Sequence, residues 1–146
     1  MVQWPSSSFE STVKDMKFTI EKMNFITRGY VRANPHKIFL FGDNLLRIGY
    51  GGQARAMRGE PNAIGIPTKK KSTNQADAFF TDDEFDQNKA AIDEAFGQLF
   101  GLERGSVIVI PAAGLGTGLA ALPSKAPQTY QYLKRKLAAL DADQDL

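Results

Sequence analysis

Residues Ser106–Ala121 read SVIVIPAAGLGTGLAA. Four β-branched residues in a row, Val107 to Ile110, bounded by Gly105 and Pro111, predict a strand. A glycine alternation follows at once, Gly114-Leu115-Gly116-Thr117-Gly118, and leads toward a segment with helical spacing. A second stretch repeats the plan. In Lys37–Ala54 (KIFLFGDNLLRIGYGGQA) the continuous apolar run Lys37–Gly42 reads as a central strand covered on both faces, and Gly49-Tyr50-Gly51-Gly52 opens a short helical segment, Gln53–Arg58. Glycine lets backbone amides approach a ligand, and the amides at a following helix start suit phosphate oxygens. Two such loops in one chain predict a diphosphate cradle in a layered α/β domain with a largely parallel or mixed sheet.

Working outward, Lys17–Met23 and Asn24–Val31 carry partial period-two alternation and predict one or two early strands. Ala33-Asn34-Pro35-His36 is turn chemistry. Asn62–Ile66 reads as a short strand closed by Pro67, and Lys69–Asp77 as a solvated loop. Thr81-Asp82-Asp83-Glu84 matches a capping box, so a helix is expected from there to Gly101, with Phe85, Ile92, Ala95, Phe96, Leu99 and Phe100 facing a core. Ser124–Leu140 reads as one amphipathic helix with Tyr130, Leu133, Leu137 and Leu140 on its apolar stripe, and Asp141–Leu146 as a frayed end. Residues 1–16, polar with a Ser6-Ser7-Ser8 run, read as an N-terminal arm ahead of a single domain over residues 17–146.

Composition narrows the chemistry. The 146 residues, 42% of them hydrophobic, suffice for one domain with a real core. The absence of cysteine removes disulfide and thiolate chemistry, and a single histidine removes multi-histidine metal sites, so no metal and no cofactor is expected. A net charge of +2 is too small to be a nucleic-acid footprint, and Lys69-Lys70-Lys71 lies close in sequence to the acidic cluster Asp82, Asp83, Glu84 and Asp86. Neither a secretory leader nor an apolar run of membrane-spanning length is visible, which leads to the expectation of a soluble cytoplasmic protein.

Polar groups just after an apolar strand sit where open α/β sheets place ligands, which singles out Gly42, Asp43 and Asn44. The alternative is that Asp43 and Asn44 are turn formers or caps. Asn44 can both donate to and accept from a ribose hydroxyl or a water. Thr117 offers a hydroxyl to an anion, and Tyr50 is a candidate stacking contact. No Lys-Ser or Lys-Thr follows Gly49–Gly52, so the loop is not of the Walker A type. His36 reads as a surface residue in its turn.

Phe41-Gly42-Asp43-Asn44 with Gly49–Ala54, and Ile110–Leu119 (IPAAGLGTGL), resemble the macrodomain superfamily, and more narrowly the small macrodomain-like proteins common in phages and bacteria. The resemblance covers roughly residues 24–140, with specific matches at about 30 positions; the family's double-asparagine strand end is here Gly42-Asp43-Asn44. It implies a three-layer α/β/α fold with a mixed, mostly parallel central sheet, and binding of ADP-ribose or a related nucleotide. It places Asn44 near the distal ribose and Gly51, Gly52 and Gly114–Gly118 around the diphosphate. The ligand-binding set expected is therefore Gly42, Asn44, Tyr50, Gly51, Gly52, Gly114, Leu115, Gly116, Thr117 and Gly118. Three readings stay open. In one, the domain hydrolyses an ADP-ribosyl bond, free or on an ADP-ribosylated macromolecule, with Asn44 placing a water and Asp43 as base. In the second it binds or senses the nucleotide without chemistry. In the third it is a protein-interaction module with structural glycines.

Overall fold

A computed structural model of the chain describes residues 18–141. The expectations for the arm at residues 1–16 and for the end beyond Asp141 lie outside the described residues. The elements, in chain order, are β1 (Phe18–Met23), α1 (Arg28–Ala33), β2 (Lys37–Asn44), α2 (Ala54–Met57), β3 (Ala63–Lys69), 3₁₀ turns at Ala76–Ala78 and Asp82–Glu84, α3 (Phe85–Phe100), β4 (Ser106–Pro111), α4 (Leu122–Lys125) and α5 (Pro127–Asp141). The four strands form one parallel sheet in the order β1-β4-β2-β3. An isolated antiparallel bridge joins Lys69 to Phe79.

The apolar run of β2 is explained by burial on both sides. Phe39 and Phe41 pack with Val109, Val31 of α1, and Ala54 and Met57 of α2, while Leu40 joins Ile66, Ile108 and Ile110 against α3 and α5. Phe39 is central in the ladder, opposite Ala63 on one side and Val109 on the other. Helices thus cover both faces, as parallel strands require. The chain leaves β2 toward β3 on one side and returns in β4 on the other, so the loops that follow β2 and β4 flank the topological switch point.

Four expectations are corrected. The second early strand is instead α1: Thr27, in extended conformation, accepts the Tyr30 amide through its side chain and starts a helix, and Val31 is fully buried. β3 does not stop at Pro67 but runs through it to Lys69; as an edge strand it tolerates the missing N–H. Thr81 makes no side-chain cap to α3, which is preceded by a 3₁₀ turn. Asp82 reaches instead across the fold to the start of α5, accepting from the amides of Gln128 (2.8 Å) and Thr129 (3.0 Å) and from the Thr129 hydroxyl (2.9 Å). The last helix is two helices, because Pro127 cannot continue α4 but suits the first position of α5.

Candidate functional site

The loops after β2 and β4 converge on a cleft of about 130 Å³ lined by Gly42, Asp43, Asn44, Gly51, Gly52, Gly116 and Gly118, among others. Seven of the residues singled out from the sequence are thereby brought together. Four are not: Gly114 and Leu115 line a separate groove of about 400 Å³ beside β1 and α5, the Thr117 hydroxyl donates to the Ala113 carbonyl, and Tyr50 stands 63% exposed outside the cleft wall. Gly116 is required by its place. Its φ is +79°, and a Cβ would lie 3.0–3.1 Å from Leu122 and Thr68, closer than side chains pack.

Hydrogen-bond accounting across the loops gives the site its character. The carbonyls of Ile48, Gly49, Gly51, Gly52 and Gln53 are taken, by Asn44, Arg58 and the amides of Ala54, Arg55 and Ala56. The amides of residues 48–53 donate to no acceptor among the described residues. The second loop is more evenly divided: amides 115–120 donate to no acceptor among the described residues, carbonyls 113, 114, 116 and 118 are occupied, and carbonyls 115, 117, 119 and 120 accept from no donor among them. Backbone polar groups seek partners, so free amides outnumber free carbonyls over the two loops together, a balance that suits an anion. Gln53 ties the two together, accepting from the Gly42 amide (2.7 Å) and donating to the Gly114 carbonyl (2.9 Å).

Arg58 sets the first loop. Its guanidinium donates to the Gly49 carbonyl (2.5 Å) and the Ile48 carbonyl (3.2 Å) and forms a two-pronged ion pair with Asp43. The Asp43 side chain, 2% exposed, also accepts from the Asn44 amide and from Arg47. Gly65 makes room for it: a Cβ there would lie 2.8 Å from Asp43 Cβ and closer still to the carboxylate. Arg47 and Ala121, the non-glycine residues with positive φ among those described, stand at the entrance of the first loop and the exit of the second. Backbone held in that region gathers at functional sites.

Two polar side chains remain poised at the cleft. Asn44, 6% exposed, donates to the Ile48 carbonyl (2.8 Å), while its buried Oδ1 has no partner among the described residues. Beside it in the ladder, Lys69 pairs with Asn44 across a register shift between β2 and β3. Lys69 is 7% exposed rather than in a solvated loop, donates to the Thr73 carbonyl (2.7 Å) and lies 4.8 Å from the Phe79 ring centre. No carboxylate among the described residues pairs with it, and burial pushes its amine below the ordinary lysine value. Sequence reasoning missed Gln53, Arg58 and Lys69; the signal for Lys69 was the apolar run Ala63–Thr68 leading into it.

The class defined by this geometry is a parallel α/β domain with a glycine-lined, donor-rich cleft at its switch point. Residues 21–136 match a family described as a family of unknown function (DUF7831), and the chain belongs to that family. No curated protein and no solved structure matches it.

Proposed function

We propose that this is a macrodomain-like α/β/α domain that binds ADP-ribose, or a related nucleotide diphosphate, in the cleft and hydrolyses an ADP-ribosyl linkage. The observation that carries the reading is the donor surplus of the two loops, which matches the acceptor-only oxygens of a diphosphate. The cleft's volume agrees. At about 130 Å³ it is smaller than the roughly 300–1,000 Å³ of a site for a whole drug-sized ligand, so it suits a diphosphate and part of a ribose.

In this reading Asn44 Oδ1 accepts from a ribose hydroxyl, which satisfies the buried acceptor. Asp43 is an anchor rather than a base, since its carboxylate is committed to two arginines and an amide. The chemistry is assigned to Lys69, which lines the cleft beside Asn44 in the ladder; burial lowers its pKa and so favours the neutral amine, which is a nucleophile. The nitrogen bonds to the anomeric carbon as the bond to the leaving group breaks, the amine's proton passes to that group, and water then displaces the lysine.

Isothermal titration with ADP-ribose, against AMP and NAD, tests the binding: micromolar affinity for ADP-ribose is expected, and no heat from any of the three removes the reading. Lys69→Arg keeps the cation without a neutral amine, so it should bind within a few-fold of wild type and lose at least 100-fold in turnover. Tight binding with no turnover of any ADP-ribosyl linkage by the wild type would make the domain a nucleotide sensor.

A further inference from the structure

Residues 68–72 form a third wall between the two glycine loops. Gly49 of the first loop packs on Ser72, where a Cβ would lie 3.1 Å from the serine side chain, and Gly116 of the second packs on Thr68 at the same distance. Lys69 stands between these two contacts, lines the cleft and pairs with Asn44 in the ladder. Its nitrogen donates to the Thr73 carbonyl (2.7 Å), a neutral acceptor that one N–H of an uncharged amine also satisfies, which leaves the lone pair for an electrophile. Burial lowers the Lys69 amine, whereas the hydrogen bonds to Glu21 and Asp93 raise those of Lys37 and Lys89. The uncharged form of an amine is the one that attacks a carbonyl carbon. Asn44, which lines the same cleft, keeps a buried Oδ1 without a partner among the described residues.

We infer that Lys69 captures the reducing end of an aldopentose 5-phosphate as a covalent imine, with the phosphate on the loop amides and the hydroxyl beside the aldehyde donating to Asn44 Oδ1. The inference rests on the ADP-ribose reading for the placing of phosphate and ribose, and adds a covalent activity toward free sugar phosphates. At about 130 Å³ the cleft has room for the phosphate and the pentose rather than for a whole nucleotide. That unit is shared by a free pentose 5-phosphate and by the distal end of ADP-ribose, both of which carry an unsubstituted anomeric carbon. The sugar ring opens to the aldehyde, and the amine's lone pair bonds to the carbonyl carbon. The carbonyl oxygen leaves as water with the two protons that the amine gives up, so no oxidant or reductant is consumed. Water adding back to the imine returns the sugar and the free lysine. A sugar whose anomeric oxygen is alkylated has no aldehyde to offer and escapes capture.

The test incubates the wild type at neutral pH with sodium cyanoborohydride, which reduces an imine to a stable secondary amine, and with one of four probes. These are ribose 5-phosphate, ADP-ribose, ribose without phosphate, and the methyl riboside of ribose 5-phosphate. Intact mass gives the extent of labelling, and peptide mapping of the wild type gives its position, so the result does not depend on a variant that folds. Ribose 5-phosphate and ADP-ribose should each leave one adduct per chain on Lys69, at least tenfold faster than ribose, and the methyl riboside should leave none. Lys69→Arg should lose at least tenfold in labelling. Adducts spread over the exposed lysines, equal labelling by ribose, or no adduct from either phosphorylated probe overturns the inference; heat on titration with ADP-ribose in that case leaves the cleft reading standing. A Lys69 adduct from ribose 5-phosphate, with neither heat nor adduct from ADP-ribose, upholds the capture, removes the nucleotide reading and makes the free sugar phosphate the source. A Lys69 adduct from ADP-ribose alone upholds the capture and makes the nucleotide the source.

Discussion

Burying an ammonium group without a carboxylate partner is costly, and among the described residues none pairs with Lys69, which makes it a candidate functional group. Its folded pKa lies below the ordinary value because burial disfavours the charged form. As pH rises through that lowered value toward the ordinary one, the folded state sheds its proton first. The unfolded chain then holds more protons, and the contribution of Lys69 to stability improves with pH. Function should split in two over the same range. Turnover should rise with pH as the neutral amine forms, while affinity for the anionic ADP-ribose falls as a positive charge lining the cleft is lost. Rate and affinity profiles across the alkaline range check this, and Lys69→Met should flatten the affinity profile; parallel profiles for the two quantities would remove Lys69 from the chemistry. Its place was hard to read in sequence for a physical reason. Lys69-Lys70-Lys71 looks like a solvated charge run, and Pro67 looks like a strand end; only the edge position of β3 lets the strand pass through Pro67 and carry the first lysine of the three into the cleft.

Elements whose signals are local were legible, and those whose signals act across the fold were not. The strand-then-glycine plan located β2, β4 and both loops, because apolar runs and glycine punctuation are read within a dozen residues. The capping pattern at Thr81–Glu84 predicted a side-chain cap on α3 that does not form; Asp82 within it instead caps a helix more than forty residues away. Burial opposes the ionisation of Asp82, but the amides of Gln128 and Thr129 and the Thr129 hydroxyl outweigh it and draw the carboxyl below its ordinary range. A depressed carboxyl contributes stability above its unfolded pKa and loses it as pH falls through the folded one. Asp82→Ala should therefore lower stability at neutral pH by about 1 kcal/mol, the usual worth of a helix cap, with the deficit vanishing in acid. Denaturant midpoints at neutral and acidic pH measure it; an equal deficit at both would assign the loss to packing instead.

At the scale of the whole molecule, the order β1-β4-β2-β3 is what turns two separate glycine loops into one site, and no local pattern in the chain encodes it. The loops belong to different βα units, and the side chain of Gln53 spans them. A diphosphate bound to amides of both loops would act as a second, stronger tie, stabilising only the state in which β2 and β4 lie side by side. Binding restricted to the folded state raises stability by about 2.7 kcal/mol at a hundredfold excess over Kd. For a chain near 150 residues that corresponds to a rise in Tm of roughly 5–10 °C. AMP, with one phosphate, cannot engage both loops fully, so at equal concentration its shift should be well below that of ADP-ribose. Gln53→Ala removes the existing tie: Tm should fall without ligand, and saturating ADP-ribose should restore most of the loss, because the ligand supplies the connection the side chain gave up. A thermal melt with and without each nucleotide measures all of this. Equal shifts with AMP and ADP-ribose would mean that one loop binds alone, and the convergence of the two loops would then serve the fold rather than the ligand.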